Sequence, residues 1–240
     1  MNNWEFLKKY NIEVFCICLA SRDDKFQIVS SEFEKVGLLQ HVQFHRPEKN
    51  TNSGLGCFLS HKYCLSESKK HVLVFEDDVK FTKDWCKKIQ YIVDFLENTP
   101  NYDTLRLGCF LTSIHADEYN TPKVCLSKSY MTHAILYHNN FKNKLLNNPK
   151  FNGEVQIDDF LHNTPEYKEY ALIDPICYQR IINSSDNIWQ SSRVQKIMQS
   201  QYIYENIQWL DNIYISNMRC LPPYIQEKIN LWYLMYFVFN

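Results

Sequence analysis

The chain has 240 residues, of which 45% are apolar, 15% aromatic and 22% charged, with only five glycines. Folding a chain of this length buries roughly 70–75% of its unfolded surface, so it can build a large core without disulfide or metal staples. The composition excludes a disordered, collagen-like or low-complexity chain. The net charge of −1 and the scattered lysine pairs (Lys8–Lys9, Lys69–Lys70, Lys87–Lys88) argue against a nucleic-acid partner.

Taken in chain order, Met1–Tyr10 is polar and lacks the apolar core of a signal peptide. No run of 18 apolar residues follows, so no spanning helix is expected. Val14–Leu19 is a short apolar run that reads as a buried strand, with Cys16 and Cys18 as small core residues on one face. The nine cysteines are too sparse for a disulfide scaffold and hold no CxxC pair. Reduced thiols and the absence of a leader set the expectation of a cytoplasmic protein. Ser21–Asp24 reads as a polar loop and cap. Phe26, Val29, Phe33 and Val36 then recur at helical spacing over 25–37, closed by Gly37.

Val42–His45 is a second strand, and 47–56, with its two glycines, reads as a loop. Ser60 begins or lies within a helix that runs to about Lys69. Val72–Phe75 is the strongest strand and runs into Glu76-Asp77-Asp78. Trp85–Asn98 carries Ile89, Ile92, Val93 and Leu96 on one helical side, and Thr104–Leu107 is a third strong strand ended by Gly108. This alternation predicts an α/β fold with a parallel sheet. Residues 109–190 are less regular, with one helix near 139–148, and 190–240 read as mostly helical. One globular body over 1–190 with a C-terminal helical extension over 191–240 is the expected organisation.

Three adjacent carboxylates repel one another. At the carboxyl end of a strand, where open α/β sheets bind ligands, they make sense if a divalent cation neutralises them. Glu76 and Asp78 share a side in extended chain. Against this stands a plain acidic turn. A second pair, Asp158-Asp159, reads either as helix N-capping or as the acids that activate a nucleophile. No Gly-rich phosphate loop, GxSxG or HExxH motif is present.

Four segments together resemble glycosyltransferase family 25, which includes bacterial lipooligosaccharide glycosyltransferases and collagen galactosyltransferases. They are Val14–Leu19 with the polar residues after it, Gly54–His61 (GLGCFLSH), Val72–Val79 (VLVFEDDV) and Val155–Leu161 (VQIDDFL). The resemblance implies a GT-A-like nucleotide-sugar-binding fold, a UDP-sugar donor, Mn²⁺ or Mg²⁺, and inversion at the sugar's anomeric carbon. It implies Asp78 and Glu76 as metal ligands, and Leu19, Ser21, Arg22, Ser60, His61, Glu76 and Asp77 on the donor side. Asp158 is the candidate base, with Asp159 beside it. The acceptor is then a glycan or a hydroxylysine-type protein hydroxyl. His133, on a strand that the resemblance places beside the acceptor cleft, reads as a satisfied core or surface histidine, and His162 as a minor candidate metal ligand. A non-catalytic relative that binds a partner or glycan, and a metal-dependent phosphohydrolase or nucleotidyltransferase, are the competing readings.

The last segment, Ile229–Asn240 (INLWYLMYFVFN), is almost unbroken apolar and too short to span a bilayer. It is expected to pack on the catalytic domain or to bury against a second subunit. A membrane interface is disfavoured, because no basic cluster flanks it.

Overall fold

The computed structural model describes residues 3–115, 123–165, 167–180 and 214–215. The elements are α1 (Glu5–Lys9), β1 (Ile12–Ile17), α2 (Asp23–Lys35), β2 (Val42–His45), α3 (Ser53–Glu67), β3 (His71–Glu76), β4 (Val79–Phe81), α4 (Trp85–Asn98), β5 (Thr104–Arg106), β6 (Phe110–His115), β7 (Val124–Tyr130), β8 (Ala134–Tyr137), α5 (Asn139–Leu146), α6 (Ile157–Asn163), β9 (Glu169–Leu172), β10 (Cys177–Gln179) and β11 (Tyr214–Ile215).

Nine strands form one sheet in the order β11-β6-β7-β9-β5-β8-β3-β1-β2, and β4 pairs separately with β10. Only β7 and β8 run against the common direction. The expected α/β class with a mostly parallel central sheet is therefore borne out, as the GT-A-like reading requires. Most of the expected extension, including Ile229–Asn240, lies outside the described residues. Tyr214–Ile215 within it forms a strand parallel to β6, where helix was expected.

Strand alternation sorts the core onto the two faces of the sheet. Val14, Leu73, Leu136, Leu105 and Tyr170 lie in register across five strands and share one core with Val29 and Phe33 of α2 and Ile92 and Phe95 of α4. Phe15, Val74 and Ile135 line the other face, against Phe58 and Leu65 of α3, Phe141 of α5 and Leu161 of α6. The row that contains Ile135 continues into Arg106, a charge inside an apolar strand.

Helix α4 matches its periodicity. Helix α3 starts earlier than the glycines suggested. Asn52 caps it, its side chain accepting from the Leu55 N–H at 3.1 Å. Gly56 is there for contact, since a Cβ would lie 2.9 Å from the Asn50 Cβ. The polar N-terminus also hides an anchor. Trp4 is 1% exposed, stacks on Trp85 at 5.7 Å and donates to the Val36 carbonyl at 2.7 Å.

Gly108 follows β5 where three segments meet. A Cβ there would lie 1.9 Å from the Cys177 carbonyl oxygen and 2.9 Å from His133 Nε2. Gly108→Ala should destabilise the fold by about 1–3 kcal/mol or more, because the obstacle is backbone. A fall in the urea midpoint at unchanged slope is the expected result, and an unchanged midpoint counts against the contact.

Candidate active site

Strand β3 delivers Glu76 at its end, and the turn Asp77-Asp78 leads into β4. The three carboxylates diverge. Glu76 lies on the α3 side of the sheet. Its Oε1 accepts from Thr132 Oγ1 at 2.5 Å and sits 3.2 Å from His61 Nε2 and 4.0 Å from Cys57 Sγ. His61 is fully buried, with Nδ1 3.4 Å from the Tyr137 hydroxyl. Burial pushes the Glu76 carboxyl up, but His61 and Thr132 outweigh it and hold the group below its ordinary value.

Asp77 turns toward α2 and pairs with Lys25 at 3.1 Å. Burial is the largest influence on it and raises its pKa. Asp78 is pushed up to about 7, by burial first and then by Glu76 and Asp77. Its Oδ2 accepts from Gln179 Nε2 at 2.7 Å, while Oδ1 is buried with no hydrogen-bond partner.

The second acidic pair splits across helix α6. Asp159 is exposed, and Asp158 faces inward. Asp158 Oδ2 accepts from the Met131 N–H at 3.2 Å, and Oδ1 lies 3.8 Å from Arg106 Nη1 without a hydrogen bond. Burial raises this carboxyl to about 6, against the opposing pull of Arg106.

Leu19, Ser21 and Arg22, three of the residues expected on the donor side, sit on the loop between β1 and α2. Arg46, just past β2, fastens that loop: its Nη2 donates to the Leu19 and Ala20 carbonyls at 3.3 and 2.9 Å and meets Asp23 at 2.7 Å. Ser21 is exposed, and Arg22 pairs with Asp24 at 2.8 Å. Ser60 is buried and donates to the Gly56 carbonyl at 2.8 Å, so its proton is committed within α3. His133 is fully buried, its pKa lowered to about 4 by burial, but both ring nitrogens lack a hydrogen-bond partner, so it lies in the core without being satisfied there. His162 stacks on Tyr130 at 4.5 Å.

Sequence reading missed Thr132, Arg106, Gln179, Arg46 and Cys57. Arg106 left a signal, a lone charge in the run Thr104–Leu107, and Arg46 left another as a cation at a strand end. Thr132 and Gln179 left none, because their roles come from pairing across the chain.

Two of the groups expected to hold a divalent cation are differently placed: Glu76 belongs to a cluster of potential ligands and Asp78 is not part of it. Glu76 and Asp78 supply hard oxygens, and the buried, unpartnered Oδ1 of Asp78 lacks a counter-group. Among the described residues, ligand atoms of Cys57, His61 and Glu76 also fall within 4.8 Å of one another. No helix among the described residues is long and apolar enough to cross a membrane.

Residues 38–156, just under half of the chain, match the model of glycosyltransferase family 25 (LPS biosynthesis protein). The family read from the motifs is thus the one that the comparison returns, and the matched span holds His61, Glu76, Asp77 and Asp78. Human procollagen galactosyltransferase 2 is 27% identical over 135 residues, covering 50% of this chain and 22% of the relative. The mouse protein of that name is 26% identical over the same length. The chain thus spans about a fifth of the length of these relatives. Among solved structures, A197 from STIV aligns with 71% of this chain and 86% of its own, at 14% identity and a TM-score of 0.46. At that distance the likeness carries no argument.

Asp78 sets a pH signature. Its folded pKa of about 7 lies above the unfolded value near 4, so folding takes up a proton between the two. The group's contribution to stability is largest below pH 4 and is lost as the pH rises to about 7. Asp78→Asn should therefore be more stable than the parent at pH 7–8 in EDTA, with the gain gone at pH 4. Urea midpoints across that range test this, and a gain independent of pH contradicts it.

Proposed function

We propose, with the family 25 match as premise, that this chain is a glycosyltransferase that moves a hexose from a UDP-sugar to a hydroxyl of a glycan or hydroxylysine-type acceptor, with inversion and with a divalent cation. The observation that carries the reading is the division of labour among the acids. Glu76 is held ionised by His61 and Thr132, Asp78 keeps an unpartnered oxygen, and Asp158 stands apart with a raised pKa.

Glu76 and Asp78 would hold Mn²⁺ or Mg²⁺, with His61 and Thr132 fixing the Glu76 carboxylate. A cation bound there would supply positive charge to offset what develops on the departing diphosphate. Asp158 takes the proton from the acceptor hydroxyl as that oxygen attacks the anomeric carbon. A carboxyl near pKa 6 is ionised at neutral pH and more basic than an ordinary aspartate, which suits this task. Asp159, exposed on the same helix, lies on the acceptor side of this assignment. Leu19, Ser21 and Arg22, on the loop that Arg46 fastens, form the nucleotide side. Lys25 holds Asp77 away from Glu76 and lowers the negative charge that a diphosphate meets.

The test is incubation with UDP-galactose or UDP-glucose, Mn²⁺ and hydroxyl acceptors, with UDP release as the readout. UDP without phosphate or pyrophosphate supports transfer, and UDP-sugar binding without turnover supports a non-catalytic relative. Asp78→Ala should abolish turnover and weaken cation-dependent donor binding. Asp158→Asn should lower kcat by about 10²–10⁴-fold and leave donor affinity near the parent's. Lost donor binding with turnover kept at saturation would move Asp158 to the donor site.

A further inference from the structure

The buried pair Arg106–Glu169 has no part in the chemistry above, and both side chains are 0% exposed. Glu169 Oε2 lies 3.1 Å from Arg106 Nε and 3.0 Å from Nη2. Glu169 also accepts from Ser129 at 2.6 Å and from Tyr167 at 3.1 Å. Such a pair is seldom worth its desolvation as a stabiliser alone, since well-packed apolar residues often do as well. Its placement gives it another use.

Arg106 reaches past Glu169 and donates through Nη1 to the Met131 carbonyl at 2.9 Å. Met131 has φ of 80°, the left-handed region that side-chain-bearing residues avoid. Both of its polar backbone groups are held, the carbonyl by Arg106 and the N–H by Asp158. The next two residues grip the other half of the site. Thr132 donates to the Glu76 carboxylate, and the His133 carbonyl accepts from the Glu76 N–H at 3.0 Å.

We propose that the Arg106–Glu169 pair is a positioning device: acting through the left-handed Met131, it sets the Asp158 carboxylate against the Glu76 end of the site. This rests on the reading of Asp158 as the base. Arg106 touches neither substrate nor cation in this scheme. Its charge faces Asp158 together with Glu76 from β3, His61 and Cys57 from α3, Tyr130 from β7 and Tyr137 from β8, and of these it is the strongest influence opposing burial.

Four variants of the full chain test the device. Arg106→Lys keeps the charge and loses the fork. Arg106→Gln with Glu169→Gln removes both charges and keeps hydrogen-bonding groups. Met131→Val strains the left-handed turn, and Met131→Gly relieves it. Steady-state UDP release against pH gives kcat and KM, and the Asp158 carboxyl carbon is titrated by NMR, assigned with Asp158→Asn. Circular dichroism reports folding.

Arg106→Lys should lower kcat by about 10–100-fold with little change in donor KM, and leave the acid limb of kcat in place. The double Gln variant should move that limb, and the Asp158 titration, to higher pH, because a cation that favours the ionised carboxylate is gone. Met131→Val should turn over more slowly than Met131→Gly. A folded double variant with the parent's limb and titration overturns the inference, since a merely structural pair lowers the rate equally at every pH. Should the double variant not fold, the two Met131 variants decide, and equal rates overturn it. If the parent releases no UDP with any donor, the transfer reading fails by itself. The Asp158 titration then judges the device alone: a shift supports it, and no shift overturns it.

Discussion

Glu76 ends strand β3 with a carboxylate drawn partly out of water, and much of the surrounding fold serves to keep it charged. A lone buried carboxylate takes up a proton, because desolvation of the ion outweighs any local gain. Here the partners come from distant parts of the chain. His61 arrives on α3, and Thr132 on the segment that enters β8. Tyr137, at the far end of β8, stands behind His61. The register β3–β8 and the packing of α3 on β3 are thus fixed by one charge as much as by the apolar rows beneath it.

Neighbouring positions then take different environments from the same backbone. Glu76, Asp77 and Asp78 are consecutive, yet one meets a histidine and a threonine, one a lysine, and one a glutamine. Three like charges in a row are costly only when they share a direction. The turn after β3 sends them to three sets of partners, and the residual repulsion collects on Asp78. That residue is where a cation relieves most.

The strands and the acidic strand end were legible because they depend on local pattern. Val72–Phe75 is apolar without break, Trp85–Asn98 keeps a helical period, and Glu76–Asp78 interrupts the first of these abruptly. The start of α3 was not legible. Two glycines pointed to a loop, while the capping side chain of Asn52 and the contact that Gly56 makes with Asn50 depend on tertiary placement. The same holds for Asp158 and Asp159. Their order on a helix says that they face different ways, but not which of them faces Arg106. The hydrogen-bonded shell of Thr132, Met131 and Gln179 is a product of the fold, and no spacing rule announces it.

Strand β8 has a further consequence, for the order in which the sheet is completed. It lies between β3 and β5 and pairs antiparallel with both, so it is the seam between the half built by β1, β2 and β3 and the half built by β5 and β9. Until residues 134–137 have left the ribosome, β3 offers an open edge of unpaired backbone groups and β5 has nothing to dock on. Such an edge is a template for pairing with another chain. Contacts of this sequence separation form late and slowly. The newly made segment from β1 to β5 is therefore exposed along these edges; four residues near the middle of the chain close the β3 edge, and the far edge of β5 stays open until β9 arrives.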